Sequence, residues 1–140
     1  MQEDFVSATA RHLTDASFLA ENNRIDNAGY LAGYAVECSL KAIIVHSGGQ
    51  DTRVYGHDLA TLGGAALDLS LLLSPAPCHY RSYTIDEIIN VFKDWEPSLR
   101  YTATGTLSQS KTINLVAAAR KAFEQLVIPI ILDGFVEVPR

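Results

Sequence analysis

The stretch from Ala28 to Leu62 constrains this chain more than any other: a helical run of apolar residues, a glycine-broken loop, and the start of a second helix. Leu31, Ala35, Cys38, Ala42 and Val45 recur at intervals of three and four, and Val36, Leu40, Ile43 and Ile44 fill the adjoining angle. A helix apolar over so much of its circumference belongs in the middle of a bundle. Its remaining stripe carries Tyr30, Tyr34, Glu37 and Lys41, so two aromatic rings and two opposite charges share one edge of the rod. That edge is the first place to look for chemistry or recognition. Gly29 and Gly33, among alanines, predict close approach by a neighbouring helix, and Asp26 is the expected N-cap.

The rest of the chain supplies partners for that helix. Residues 2–22 predict a first helix with Phe5, Val6, Leu13, Phe18 and Leu19 facing inward, ended by the Asn22–Asn23 pair. After Gly48 and Gly49 a polar loop leads to a third helix carrying Leu59, Leu62, Ala66, Leu69 and Leu73, with Gly63 and Gly64 weakening its middle. The prolines of SPAPCHYRSY predict a loop over Ser74–Tyr83. Thr84 to Glu87 has the form of a capping box opening a fourth helix with Ile85, Ile88, Ile89, Phe92 and Trp95 inside, stopped by Pro97. From about Ser108 a fifth helix aligns Leu115, Ala119, Ala122, Leu126 and Ile130, with Pro129 kinking it or marking its last turn. The tail GFVEVPR has no helical period. The expectation is an all-α, up-and-down bundle of four to five helices in one domain spanning residues 1–140, with Ala28–Ser47 at its centre and residues 134–140 extended or loose.

Composition narrows the function. The 140 residues, 48% hydrophobic and 19% charged, are enough for a core without disulfides or metal and lean toward an interface with another chain, so a homodimer is expected. Sixteen acidic against eleven basic residues give a net charge of -5, which removes any global pull toward nucleic acid and leaves only local patches. Cys38 and Cys78 show no metal-ligand spacing, and a reducing cytoplasmic setting fits them. The chain opens with Gln2, Glu3 and Asp4 rather than a basic-then-apolar leader. No uncharged apolar run reaches the roughly 18 to 20 residues that span a bilayer, so no membrane role is expected. No phosphate loop, dinucleotide fingerprint, zinc-protease motif or nucleophile elbow is present, and no cofactor or metal is expected.

The candidate residues each carry two readings. Glu37 and Lys41 stand four apart with the acid first, which makes a solvated pair worth about 0.2–0.5 kcal/mol on a wet face. The competing and favoured reading has Glu37 accept a bidentate fork from Arg100, fixing the Trp95–Tyr101 segment to the bundle. Asp58 stands where it would cap the third helix, while His57 beside it either orders the loop or meets a phosphate or a proton. Trp95 reads as core, its indole N–H on a carbonyl. Tyr80, Arg81 and Tyr83, with Arg53 and Tyr55, mix aromatics and cations as single-stranded RNA surfaces do, and as protein interfaces also do.

The segment Tyr30-Leu-Ala-Gly-Tyr-Ala-Val-Glu-Cys-Ser-Leu-Lys41, then Gly56-His57-Asp58-Leu59 with Leu62, then Trp95-Glu-Pro-Ser-Leu-Arg-Tyr101, resembles the HEPN domain, the helical module of higher eukaryotes and prokaryotes. The resemblance runs through nearly the whole chain. It implies a helical bundle, commonly dimeric, linked to RNA, nucleotides, toxin–antitoxin pairs or defence, and often encoded beside a nucleotidyltransferase. Its site residues would be Tyr34, Glu37, Lys41, His57, Asp58, Trp95, Arg100 and Tyr101. Many relatives are metal-independent ribonucleases in which an Arg precedes a His by four to six intervening residues. Here no arginine stands so before His12, His46, His57 or His79, since Arg53 leaves only three residues before His57. The resemblance therefore implies a binding or regulatory module rather than a nuclease. Two alternatives stand beside it: a divergent ribonuclease toxin assembling His57 and Arg100, and an assembly partner of a separate nucleotidyltransferase.

Overall fold

The first helix opens where Asp4 accepts the N–H of Ser7 and closes where Asn23, at a positive φ of 60°, lets the chain reverse within three residues. A computed structural model describes residues 3–48, 51–73 and 75–132, with side chains described for all of these except 70–73 and 75–82. The order is α1 (Phe5–Glu21), α2 (Ile25–His46), a 3-10 turn (Thr52–Tyr55), α3 (Leu59–Leu73), α4 (Pro75–Val91), a second 3-10 turn (Pro97–Tyr101), α5 (Gln109–Ala122), a π-turn (Phe123–Val127) and α6 (Ile128–Leu132). The fold is all-α, a helical bundle with no strand among the described residues.

α2 is its axis. It packs on α1, α5 and α3, and from Ala35 to Ile44 every residue is buried. By length and composition α2 could cross a bilayer, a point that the absence of an uncharged run did not anticipate. In this fold 78% of that window is covered by the chain's own helices, the condition of a bundle's core helix. Val45, expected in the apolar stripe, is exposed in the last turn.

Several expectations are corrected. α1 buries Val6, Thr9, Leu13 and Ala16, and Phe18, two residues past Ala16 and so on the opposite side of the helix, is 63% exposed. α2 starts three residues before Ala28, and its N-cap position is Arg24. Asp26 lies in the first turn, where its carboxylate accepts the N–H groups of Gly105 (2.9 Å) and Leu107 (3.1 Å) and so clasps the loop before α5. Ser74–Tyr83 is not a loop from Pro75 onward: Pro75 and Pro77 occupy the first turn of α4, where a helix has no use for their missing N–H groups. Thr84 therefore stands inside α4, opening no helix, and its hydroxyl donates to Gln125 Oε1 at 2.6 Å. α4 ends at Val91, so Phe92 and Trp95 complete its apolar stripe from the turn beyond it, while Pro97 begins a 3-10 turn instead of stopping a helix.

Other expectations stand. α3 runs unbroken through Gly63 and Gly64 with Leu59, Leu62 and Ala66 buried. Ser108 caps α5 by accepting Lys111 N–H, and Leu115, Ala119, Ala122, Leu126 and Ile130 are all buried. Pro129 can give no N–H to the carbonyl four residues back, and the helix widens just before it: Ile128 N–H reaches Phe123 O, the five-residue spacing of a π-turn. The tail 134–140 and the side chains of Cys78, Tyr80 and Arg81 lie outside the described residues.

Candidate functional site

α2 carries Glu37 and Lys41 one turn apart, and both are buried, at 3% and 8% exposure, so a solvated surface pair is not what they form. Lys41 Nζ donates to Glu37 Oε2 at 3.1 Å, and the other carboxylate oxygen, Oε1, accepts from His57 Nδ1 at 2.8 Å. Lys41 also places its ammonium 5.6 Å from the ring centroid of Phe5 on α1. A carboxylate in this position satisfies two donors from two elements and is itself charge-balanced, which is what burial of an ionised acid requires.

His57 is positioned by the turn that precedes α3. Gly56 takes φ 61°, a left-handed conformation that glycine adopts without strain, and Asp58 caps α3 by accepting the N–H groups of Ala60 (3.0 Å) and Thr61 (3.3 Å). Between these fixed points the imidazole reaches back to Glu37 while 53% of its side chain stays exposed. It lines a cleft of about 500 Å³ between the start of α3 and the end of α4, with Phe92 and Trp95 as buried walls and Lys93 and Glu96 on the rim.

Tyr34 joins this site to an aromatic cluster. Its ring stands edge-on to Trp95 (5.3 Å), Tyr30 (5.1 Å) and His57 (5.9 Å), with His12 of α1 at 6.0 Å. Trp95 Nε1–H donates to Tyr30 O at 3.2 Å, and its ring lies against Gly33, where any side chain would collide with it. The neighbouring helix expected at Gly33 is instead this indole, from the turn beyond α4, while Gly29 meets Leu107, Thr112 and Leu115 around α5. Burial, then the Tyr30 hydroxyl, holds the Tyr34 phenol well above its ordinary range. His12 is pushed below the usual histidine value, first by burial and then by Arg11.

Arg100 does not bond Glu37, contrary to expectation. Its guanidinium sits 4.7 Å from the ring centroid of Tyr101, and the hydroxyls of Tyr30 and Tyr101 raise its affinity for the proton. The reason lies in the docking of Trp95 at Tyr30 and Gly33: this anchors the start of the 95–101 segment four to seven residues before Glu37, roughly 6–10 Å along the α2 axis. His57 meets Tyr34, Tyr34 meets Tyr30, and Tyr30 meets Arg100, while Arg100 itself does not line the cleft. Tyr101 is 76% exposed. Arg53 is engaged by Asp51, whose carboxylate accepts its Nε at 2.9 Å and is held at a pKa of about 2 by that guanidinium.

The sequence reading missed His12 and Lys93. Neither has a local signal: His12 reaches the site because α1 packs on α2, and Lys93 because the turn after α4 faces the start of α3 across the cleft. Among the described residues no group of three or more His, Cys, Asp or Glu side chains is placed to hold a metal. Fold and site together define a helical bundle that presents one buried-carboxylate-anchored histidine to a cleft. The chain matches no protein-family model, no curated protein and no solved structure.

Proposed function

We propose that this chain is a HEPN-like helical binding or regulatory module, acting in RNA- or nucleotide-linked processes of the toxin–antitoxin or defence type, with no nuclease activity of its own. The observation that carries the reading is His57, half exposed on the wall of a cleft of about 500 Å³ and tied from behind to buried Glu37. A cleft of that size suits a nucleotide-sized ligand. Lys93 on its rim offers a cation to a phosphate, and Asp58 and Glu96 restrict where that phosphate can lie. Arg100 does not line the cleft that His57 opens to and is held instead by Tyr101 and Tyr30, which speaks against a ribonuclease built from that pair within one chain. A homodimer, or a complex with a nucleotidyltransferase, is the expected assembly. It is supported by an apolar groove of about 770 Å³ between α1 and the π-turn, beside exposed Phe18.

The test is equilibrium titration of the purified chain with short single-stranded RNA and with nucleoside phosphates, in parallel with His57→Ala and Lys93→Ala. Binding that weakens about tenfold in either variant, a loss near 1.4 kcal/mol, supports the reading. Absence of binding to all of these ligands overturns it. RNA cleavage in EDTA that is lost in both His57→Ala and Arg100→Ala replaces it with the ribonuclease.

A further inference from the structure

The binding proposal leaves open which chemical group His57 meets, and its bond to Glu37 narrows the choice. An ionised carboxylate has lone pairs and no proton, so each of its partners here must be a donor. Lys41, with three N–H bonds and no acceptor, satisfies that at Oε2, where its ammonium stands 3.1 Å away as the ion-pair partner. The imidazole nitrogen at Oε1 must then carry a hydrogen. In the neutral ring that leaves Nε2, on the far side of the ring from the buried acid, as a bare lone pair. The Nδ1 side is enclosed with a carboxylate that is 4% exposed, whereas the ring as a whole is 53% exposed and lines the cleft.

We infer that Glu37 and Lys41 are positioning residues that hold neutral His57 as the Nδ1–H tautomer, making Nε2 a hydrogen-bond acceptor in the cleft, so that the ligand meets His57 through a hydroxyl or N–H group and not through a phosphate oxygen. The inference rests on the cleft being the ligand site. The two positions act together: Glu37 sets which nitrogen is protonated, and Lys41 keeps Glu37 an acceptor. A Glu37 that served only to pack α2 would leave the tautomer of a half-exposed histidine unconstrained, and free imidazole side chains favour the hydrogen on Nε2.

Long-range proton–nitrogen correlation spectra of the full chain, taken on the alkaline side of the pH at which the His57 ring signals stop moving, read this directly without any ligand. The expected result for His57 is a protonated Nδ1 and a bare Nε2. In Glu37→Leu/Lys41→Met, which removes the acceptor together with both charges and leaves neither charge buried alone, the major form is expected to change to Nε2–H. A wild-type His57 with its hydrogen on Nε2, or a folded double variant with an unchanged tautomer, overturns the inference. The wild-type spectrum decides by itself if the double variant fails to fold. Inorganic phosphate added to the wild type is expected to leave Nε2 bare, and protonation of Nε2 by phosphate would assign the site to anions. Because tautomer and affinity are read separately, failure of ligand binding and failure of the positioning role give different results.

Discussion

Gly33→Ala tests how the site is assembled with a single methyl group. A Cβ at this position would lie 1.8 Å from Trp95 Cε2 and 2.1 Å from Nε1, so the indole must retreat by more than about 1.5 Å to reach ordinary contact. It has little room, being only 8% exposed and wedged against Tyr34 at 5.3 Å. Overpacking of this kind costs about 1–3 kcal/mol, and displacing Nε1 from Tyr30 O adds about 1 kcal/mol. Replacing a mid-helix glycine with alanine returns about 1 kcal/mol of helix propensity. The net is a loss of about 1–3 kcal/mol, or a Tm lower by roughly 3–10 °C at about 3 °C per kcal/mol for a chain of 140 residues. Trp95 is the one tryptophan, so urea unfolding followed by its fluorescence reports on the perturbed residue. Gly33→Ala/Trp95→Leu, read by circular dichroism, should lose at least about 1 kcal/mol less than the two single changes added together. A Gly33→Ala protein as stable as the wild type, or an additive double variant, would refute the claim that the indole occupies the space glycine leaves.

Three further outcomes follow from other contacts. Ser108→Ala removes the acceptor for Lys111 N–H at the start of α5 and should cost about 1 kcal/mol, or roughly 3 °C in Tm; an unchanged melting curve would show that this cap contributes nothing. Asp26 is held below its ordinary value of 3.8 by the N–H groups of Gly105 and Leu107, so its contribution to stability is present above that pH and is lost as pH falls through its lower folded value. Asp26→Asn should therefore flatten the dependence of stability on pH below about 4, and equal acid sensitivity in the two proteins would contradict the clasp. The Cys38 thiol is buried and pushed up to about 12, chiefly by desolvation and secondly by the charge of Glu37. In a Cys78→Ser background it should react with a thiol-specific disulfide reagent only under unfolding conditions, and prompt labelling of the native protein would disprove its enclosure.

The bundle was legible because its strongest signals are local and repeated. Leu115, Ala119, Ala122, Leu126 and Ile130 keep their period through a π-turn, and Ser108 and Asp58 act as caps where their residue types suggest. What misled were residues with two local uses. Pro75 and Pro77 suit a loop and also suit a first helical turn, and Thr84, three residues before Glu87, has the pattern of a capping box but serves Gln125 forty-one positions away. Asp26 likewise has the right chemistry for a cap and uses it on a loop seventy-nine residues further on. The site was half legible for the same reason: Glu37, Lys41 and His57 could be named from one stretch of chain, but whether Glu37 would choose Arg100 or His57 depends on where Trp95 docks.

That choice bears on why a buried ion pair stands in this helix at all. α2 would pack at least as well with apolar residues at both positions, since desolvating a carboxylate and an ammonium consumes most of what their attraction returns. Lys41 and Glu37 alone would thus add little to stability over a leucine and a methionine. The third member changes the account: His57 arrives from a different element, on a turn fixed by Gly56 and Asp58, and its bond to Oε1 joins its ring contact with Tyr34 in tying that turn to the polar stripe of α2. A bond of this kind imposes direction as well as attraction, because only one nitrogen of the ring can meet the acid while the other is left to the cleft. An apolar substitute could hold the turn in place but could not set the proton on one nitrogen. The charged pair is therefore explained by what it does to His57, and the stability of the bundle rests on the apolar remainder of α2 and its neighbours.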